Sequence, residues 1–325
     1  MVFEFDDEVY GHFAIEDDML VDLLNSRAVQ RLRGISQAGA ASLIRAGRSN
    51  TRYDHSVGVM VLTKILGGSA VEQAAGLIQD ASHTAFSHTV DHLYGDREEE
   101  FHERIFPLVM ARGDIPTVLE RYGLTWHHLF SAENLGRVDA PAPLLCADRI
   151  DYTLRDLLRF GYITTTDAVD FVDRLCYLDG VVAVRDVKSA AMFAEWYRYL
   201  VLDLYMHPLE LYADDELARI LRHGLEHGVL VADDMLLTDS EVLEKVRADD
   251  VHGLSAQLAV LESTSAAAEG AGPGSRRVYS KPRVVDPRVL VGGTVVPLSH
   301  LGGYCIDWSS IIARATGGVE VRRTG

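Results

Sequence analysis

Four apolar segments of this sequence end in residues of the kind that bind metals and phosphates, and that repetition constrains the fold more than any other feature. They are TRYDHSVG, with Arg52 and His55; QDASHTAFSH, with Gln79, Asp80, His83 and His88; FHERI, with His102 and Glu103; and ADRIDYTLRD, with Asp148, Arg149, Asp151, Tyr152, Arg155 and Asp156. The apolar residues recur at helical rather than alternating spacing. On a helix, Asp148 and Tyr152 lie one turn apart, as do Tyr152 and Asp156, so one face carries two carboxylates and a phenol. Taken singly, each element has a plain explanation: a core or surface histidine, a salt-bridged helix face, or Asp80 as a cap. Together they predict a bundle whose helix ends meet at a polar rim.

Most of 17–260 reads as helix. Asp17 and Asp18 cap a segment carrying Leu20, Leu23 and Leu24 on one side. HSVGVMVLTKILGG, from His55, stops at Gly67–Gly68. VEQAAGLIQDA and PLLCADRIDYTLRDLLRFG follow, the latter closed by Gly161. Asp179–Gly180 between short apolar runs is a hairpin signal. Helical patterns resume at SAAMFAEWYRYLVLDLYMH and DDELARILRHGLEHG. The small, polar stretch 262–275 reads as a flexible loop. The β-branched runs after it, around Gly292–Gly293, read as strands. The expected organisation is a helical catalytic domain over 1–261, the loop 262–275, and a small β-containing element over 276–325 packed on the helices. The fold class is mostly α.

The 325 residues are 48% hydrophobic, enough for a sizeable core. A net charge of −17 argues against nucleic acid as a partner, which a broad basic face would have to hold. Cys146, Cys176 and Cys305 are odd in number and scattered, which fits free thiols in a reducing compartment. The acidic N-terminus has no signal-peptide pattern, and no apolar run reaches the roughly 18 residues of a membrane helix. A soluble, cytoplasmic protein without membrane contact is expected.

The order of these segments resembles the HD-domain phosphohydrolases, in particular their deoxynucleoside triphosphate triphosphohydrolase branch, which includes the SAM-and-HD-domain dNTPases. The resemblance runs from VYGHFAIEDDMLVDLLNSRAVQRLRGISQAG through TRYDHSVGV, GLIQDASHTAFSH, FHE and ADRIDYTLRD to LYMHP and KPRVVDP. It implies an HD-type helical fold and hydrolysis of a phosphate ester of a nucleotide substrate, with nucleoside and triphosphate as products if the branch's chemistry is followed. It also implies a homo-oligomer and a divalent metal ion held by His55, Gln79, Asp80 and Asp148. Arg52 and Arg149 are implied as phosphate contacts, and His83 and His88 as histidines beside the scissile phosphate. His102 is implied as a proton donor ordered by Glu103. Gln37 and Asp156 are implied as sugar contacts with Tyr152 packed near them, and Tyr205 and His207 lie near sugar and phosphates. Ala38 stands where the branch carries a larger leucine, which opens room at the sugar or base. Gln30 and Arg33 match positions that bind an activating nucleotide. Asn25 replaces the acidic residue that would read guanine there.

Gln79 departs from the pattern, because it replaces the histidine of the name-giving pair. An amide oxygen is a neutral, harder donor than an imidazole nitrogen. The substitution favours Mg²⁺ or Mn²⁺ over Zn²⁺ or Fe²⁺, with Co²⁺ and Ni²⁺ also open. The competing reading is a metal-deficient homologue that binds nucleotide as a sensor or regulatory subunit.

Overall fold

The computed structural model describes residues 2–325 apart from 46, 48, 49 and 305. Cys305 lies outside the described residues; Cys146 and Cys176 are free thiols. The fold is mostly α-helical, with nine short strands among the described residues.

The site begins with the helix Arg52–Ile65. Thr51 opens it with a reciprocal cap: its hydroxyl accepts from the Asp54 amide, and the Asp54 carboxylate accepts from the Thr51 amide. This cap starts the helix one turn earlier than the apolar pattern predicts. Arg52 and His55 therefore share a face. After Gly67, whose φ is +77°, Ser69 and Glu72 form a second reciprocal cap on the helix Ala70–Ile78. That helix ends one residue before Gln79, so Gln79 and Asp80 leave its C-terminal end.

The helix Ala147–Arg159 crosses the first one at Gly58. A Cβ at Gly58 would lie 2.0 Å from Asp151 Oδ1 and 2.2 Å from a terminal nitrogen of Arg155. The glycine in HSVGV is thus the point where an ion pair fits between two helices. Arg155 is 1% exposed and donates to both Asp151 oxygens at 2.9 and 3.1 Å. It also donates to Asp7 at 3.0 Å.

Asp7 comes from a hairpin that helical periodicity does not reveal. Strands β1 (Phe3–Asp7) and β2 (Gly11–Ile15) pair antiparallel. Asp7 accepts from the amides of Val9 and Tyr10 in the turn, and the Tyr10 hydroxyl donates to Asp151 at 2.9 Å. The signal for this hairpin is the alternation of Phe3 and Phe5, opposite Phe13 and Ile15.

The hairpin expected at Asp179–Gly180 is present: β3 (Leu175–Leu178) pairs with β4 (Val181–Val184), and both turn residues have positive φ. β7 (Arg288–Val291) adds parallel to β4, and β8 (Thr294–Pro297) pairs with β7. The stretch 262–275 is not loop throughout. Ala267–Glu269 forms β5, which pairs with β9 (Val319–Arg323), and β6 (Arg276–Val278) lies on the other side of β9. Backbone pairing to a distant strand fixes this segment, and local composition carries no trace of it. The helix Val187–Tyr199 continues into a wider π-helical turn, Leu200–Tyr205, before His207 caps the helix Pro208–Glu226. Among the described residues, no helix is long and apolar enough to cross a membrane.

Replacing Gly58 by alanine forces a methyl group into the Asp151–Arg155 pair. It is expected to lower folding stability by about 3 kcal/mol, read as a lower denaturant midpoint. A midpoint equal to the parent's would contradict this packing.

Candidate functional site

His55 is the centre of the site. Its Nδ1 meets Asp151 Oδ2 at 2.7 Å, and this contact fixes the ring. Its Nε2 then faces Asp148 Oδ1 at 3.0 Å and Asp80 Oδ2 at 3.6 Å. The carboxylates of Asp148 and Asp80, from two further segments, thus meet one imidazole nitrogen. Burial alone would push the His55 imidazole down. Hydrogen bonds to Asp148 and Asp151 and the charge of Asp80 outweigh burial and lift it to about 10. This point in the protein favours positive charge; among the described residues, the ligand atoms that lie within 4.8 Å of one another are those of Asp80, His83 and His102, and those of Asp139, Cys146 and Asp148. Asp151 supplies the backing carboxylate that orients a metal-binding imidazole.

Gln79 takes a different place from the other three. Its amide nitrogen donates to Asp148 Oδ1 at 3.0 Å. The oxygen it bonds is the one that also meets His55 Nε2, so Gln79 stands beside the point of convergence as a donor to a carboxylate. Burial would raise the Asp80 carboxyl, but the Arg52 guanidinium at 2.8 Å and His55 hold it at about 2.

The loop after Asp80 is held from behind. Arg31 donates to the carbonyls of Ala81 and His83 at 3.1 and 2.6 Å. Asp239 accepts from the Phe86 and Ser36 amides. Phe86 and Ser87 have φ of 59° and 50°, a strained conformation of the kind found at functional loops. The Ser87 hydroxyl receives the Arg52 Nε at 2.9 Å.

His83, His88 and His102 form one cluster. His83 and His102 stack with centroids 3.9 Å apart, and His88 meets both edge-on. Burial and the Arg52 charge push His83 well below its usual range. Burial and His88 push His102 down to about 4. Both rings are therefore neutral near pH 7. His102 Nδ1 has no hydrogen-bond partner, so Glu103 does not order the ring through that atom. His88, by contrast, pairs through Nδ1 with Asp91 Oδ2 at 2.9 Å, a contact that orients its ring.

Two cavities flank the centre. The smaller, about 170 Å³, is lined by Gln37, Ala38, Arg52, Tyr152, Asp156 and Tyr205, among others. The Gln37 side-chain oxygen is buried there without a partner. Asp156 accepts from the Tyr205 hydroxyl at 2.7 Å, and burial raises its carboxyl pKa. The Tyr152 and Tyr197 hydroxyls meet at 2.8 Å. The larger cavity, about 680 Å³, contains Gln79, Asp80, Glu103, Asp148 and Arg149.

Two expected site residues also make scaffold contacts. Arg149 donates to the carbonyls of Ala140 and Leu144 while lining the large cavity. His207 lines neither cavity; its Nδ1 caps the following helix by accepting from Leu209 N at 3.2 Å. Gln30, Arg33 and Asn25 also lie outside both cavities. Arg33 covers the Tyr53 ring at 3.5 Å and bonds Gln30, and Asn25 bonds the Val21 carbonyl.

The sequence reading missed Asp91, Lys281 and Arg283 as site residues. Arg283 lines both cavities and pairs with Glu99. Its signal was the pair of cations in KPR, far along the chain in a segment read as β-structure.

No family model matches the chain. It is 43% identical over 246 residues to the uncharacterized protein YdhJ of Bacillus subtilis, covering 75% of each chain. It is 32% identical over 229 residues to the metal-dependent phosphohydrolase cns2 of Cordyceps militaris, covering 68% of this chain and 66% of that one. A shorter match, 29% over 143 residues, covers 37% of this chain and 22% of the mouse deoxynucleoside triphosphate triphosphohydrolase SAMHD1. Among solved structures, a phosphohydrolase from Bacteroides thetaiotaomicron shares the fold, with a TM-score of 0.77 at 17% identity over 98% of both chains.

Folded His102 takes a proton only below about 4, whereas the unfolded residue takes one near 6.5. Between these values the unfolded state binds more protons, so stability falls as pH falls. The cost is at most about 3 kcal/mol. His102→Phe is expected to flatten the stability profile over that window, measured by denaturant titration at several pH values. An unchanged profile would contradict the burial assigned to this ring.

Proposed function

The chain belongs to the HD-domain phosphohydrolases, and we propose that it hydrolyses phosphate esters of nucleotides with a divalent metal held by His55, Asp80 and Asp148. The observation that carries this reading is the aim of His55 Nε2, locked by Asp151 toward two carboxylates. A metal bound there polarises the phosphoryl group and lowers the pKa of bound water. One nitrogen and two hard oxygens, with Gln79 turned to Asp148, suit Mg²⁺ or Mn²⁺.

The other residues follow from what ester hydrolysis needs. Arg52 lines both cavities and offers a planar fork to phosphate oxygens. Arg283 lies near the same junction. Neutral His83 can accept a proton from the attacking water, and the His88–Asp91 pair can donate one to the departing oxygen. Asp91 would keep His88 in the orientation that donation requires. The small cavity suits the nucleoside: Gln37 and Asp156 offer hydrogen bonds to sugar hydroxyls, and Tyr152 and Tyr205 offer aromatic surface. Similarity to SAMHD1, whose name records a nucleotide substrate, supports the same assignment.

Purified protein supplied with Mg²⁺ or Mn²⁺ is expected to release product from nucleotides. Asp80→Ala is expected to cut that rate by at least ~10²-fold. Gln79→His adds a softer donor and is expected to move metal preference toward Fe²⁺ or Co²⁺. Nucleotide binding without hydrolysis, whichever of these metals is present, would instead support a binding or sensory role.

A further inference from the structure

The larger cavity changes character away from the metal centre. The lining passes from Gln79, Asp80 and Asp148 to an aromatic wall built from Phe106, Trp126 and Phe130. The wall is fixed. Phe106 meets Phe130 at 5.0 Å and Trp126 at 5.6 Å, both edge-on. Thr125 caps the short helix that starts at Trp126. Phe106 sits one turn after His102 on the helix Phe101–Arg112, so the wall begins about 6 Å along the axis from the histidine cluster. Trp126 and Phe130 are only partly buried, so apolar surface faces the cavity.

The charge of this cavity is equally informative. Its lining holds four cations, Arg52, Arg149, Lys281 and Arg283, against five carboxylates, Asp80, Glu99, Glu103, Asp139 and Asp148. The cations are also engaged: Arg52 by Asp80, Arg283 by Glu99, Lys281 by Glu100 at 3.7 Å, and Arg149 by backbone carbonyls. A polyphosphate tail entering here would meet little uncompensated positive charge. Burial pushes the Asp139 carboxyl up to about 7, so with one divalent ion bound the lining balances about one to two negative charges, short of a triphosphate's.

The geometry points to a phosphodiester substrate: a nucleoside in the small cavity, the phosphorus at the junction beside Arg52 and Asp80, and a second alcohol bearing an aromatic ring against Phe106, Trp126 and Phe130. This rests on the phosphohydrolase reading above and narrows its substrate. In the reaction, water oxygen bonds to phosphorus as one P–O ester bond breaks. One water proton is lost, the departing oxygen gains a proton, and a phosphomonoester and an alcohol result. The second alcohol has two sources, a second nucleoside or an aryl group, and the aromatic wall would stack on either.

The test compares a dinucleoside monophosphate, a nucleoside 5′-aryl phosphate diester, a nucleoside triphosphate and p-nitrophenyl phosphate as substrates of the full chain with Mn²⁺. Higher kcat/KM for either diester than for the triphosphate is expected, and the better diester identifies the source. Trp126→Ala should raise KM for that diester about 5- to 150-fold, more than for the monoester. Phe130→Leu, a milder change, should act in the same direction if Trp126→Ala does not fold. Efficient triphosphate hydrolysis with inert diesters would overturn the inference and leave the phosphohydrolase reading standing, as would equal KM effects on every substrate. If no ester is cleaved, both fail.

Discussion

A guanidinium without water around it organises this protein. Arg155 is satisfied by Asp151 from its own helix and by Asp7 from the N-terminal hairpin. A buried charge of this kind is costly unless every partner is in place, and losing one partner costs about 3–5 kcal/mol. The arrangement therefore ties three parts of the chain together: the hairpin, the helix Ala147–Arg159 and the helix Arg52–Ile65, whose Gly58 leaves room for the pair. The same Asp151 holds His55, so the network that stabilises the scaffold also aims the central imidazole.

The chemistry of the site follows from how charge is distributed around that imidazole. Carboxylates gather on one side of His55 and raise its affinity for positive charge. On the other side, Arg52 and burial keep His83 and His102 neutral. His88 is partly open to solvent and backed by Asp91. Gln79 fits this scheme as a hydrogen-bond donor to Asp148. Its amide steadies Asp148 where an imidazole would have presented a ring nitrogen.

Much of the centre was legible in the sequence because its residues lie at helix ends, where apolar periodicity stops. His55, Asp80 and Asp148 were found in this way, and so was the Asp148–Tyr152–Asp156 face. The partners that give them function were harder to see. Asp151 is one residue among many charged ones in DRIDYTLRD, and only the crossing at Gly58 shows that it faces His55. The N-terminal hairpin alternates with period two over too few residues to stand out beside the helices. Arg283 reaches the site from a C-terminal segment whose position is set by parallel pairing of β7 to β4. His207 precedes Pro208 at a helix start, where it caps the helix and meets Arg45.

Anomalous scattering from crystals grown with Mn²⁺ and a non-hydrolysable nucleotide diester tests the central claim most directly. The account predicts one Mn²⁺ per chain, bonded to His55 Nε2, Asp80 and Asp148, with Asp151 still on His55 Nδ1 and Gln79 outside the first coordination shell. An ion bound away from His55, or bonded directly to Gln79 with Asp148 displaced, would contradict it.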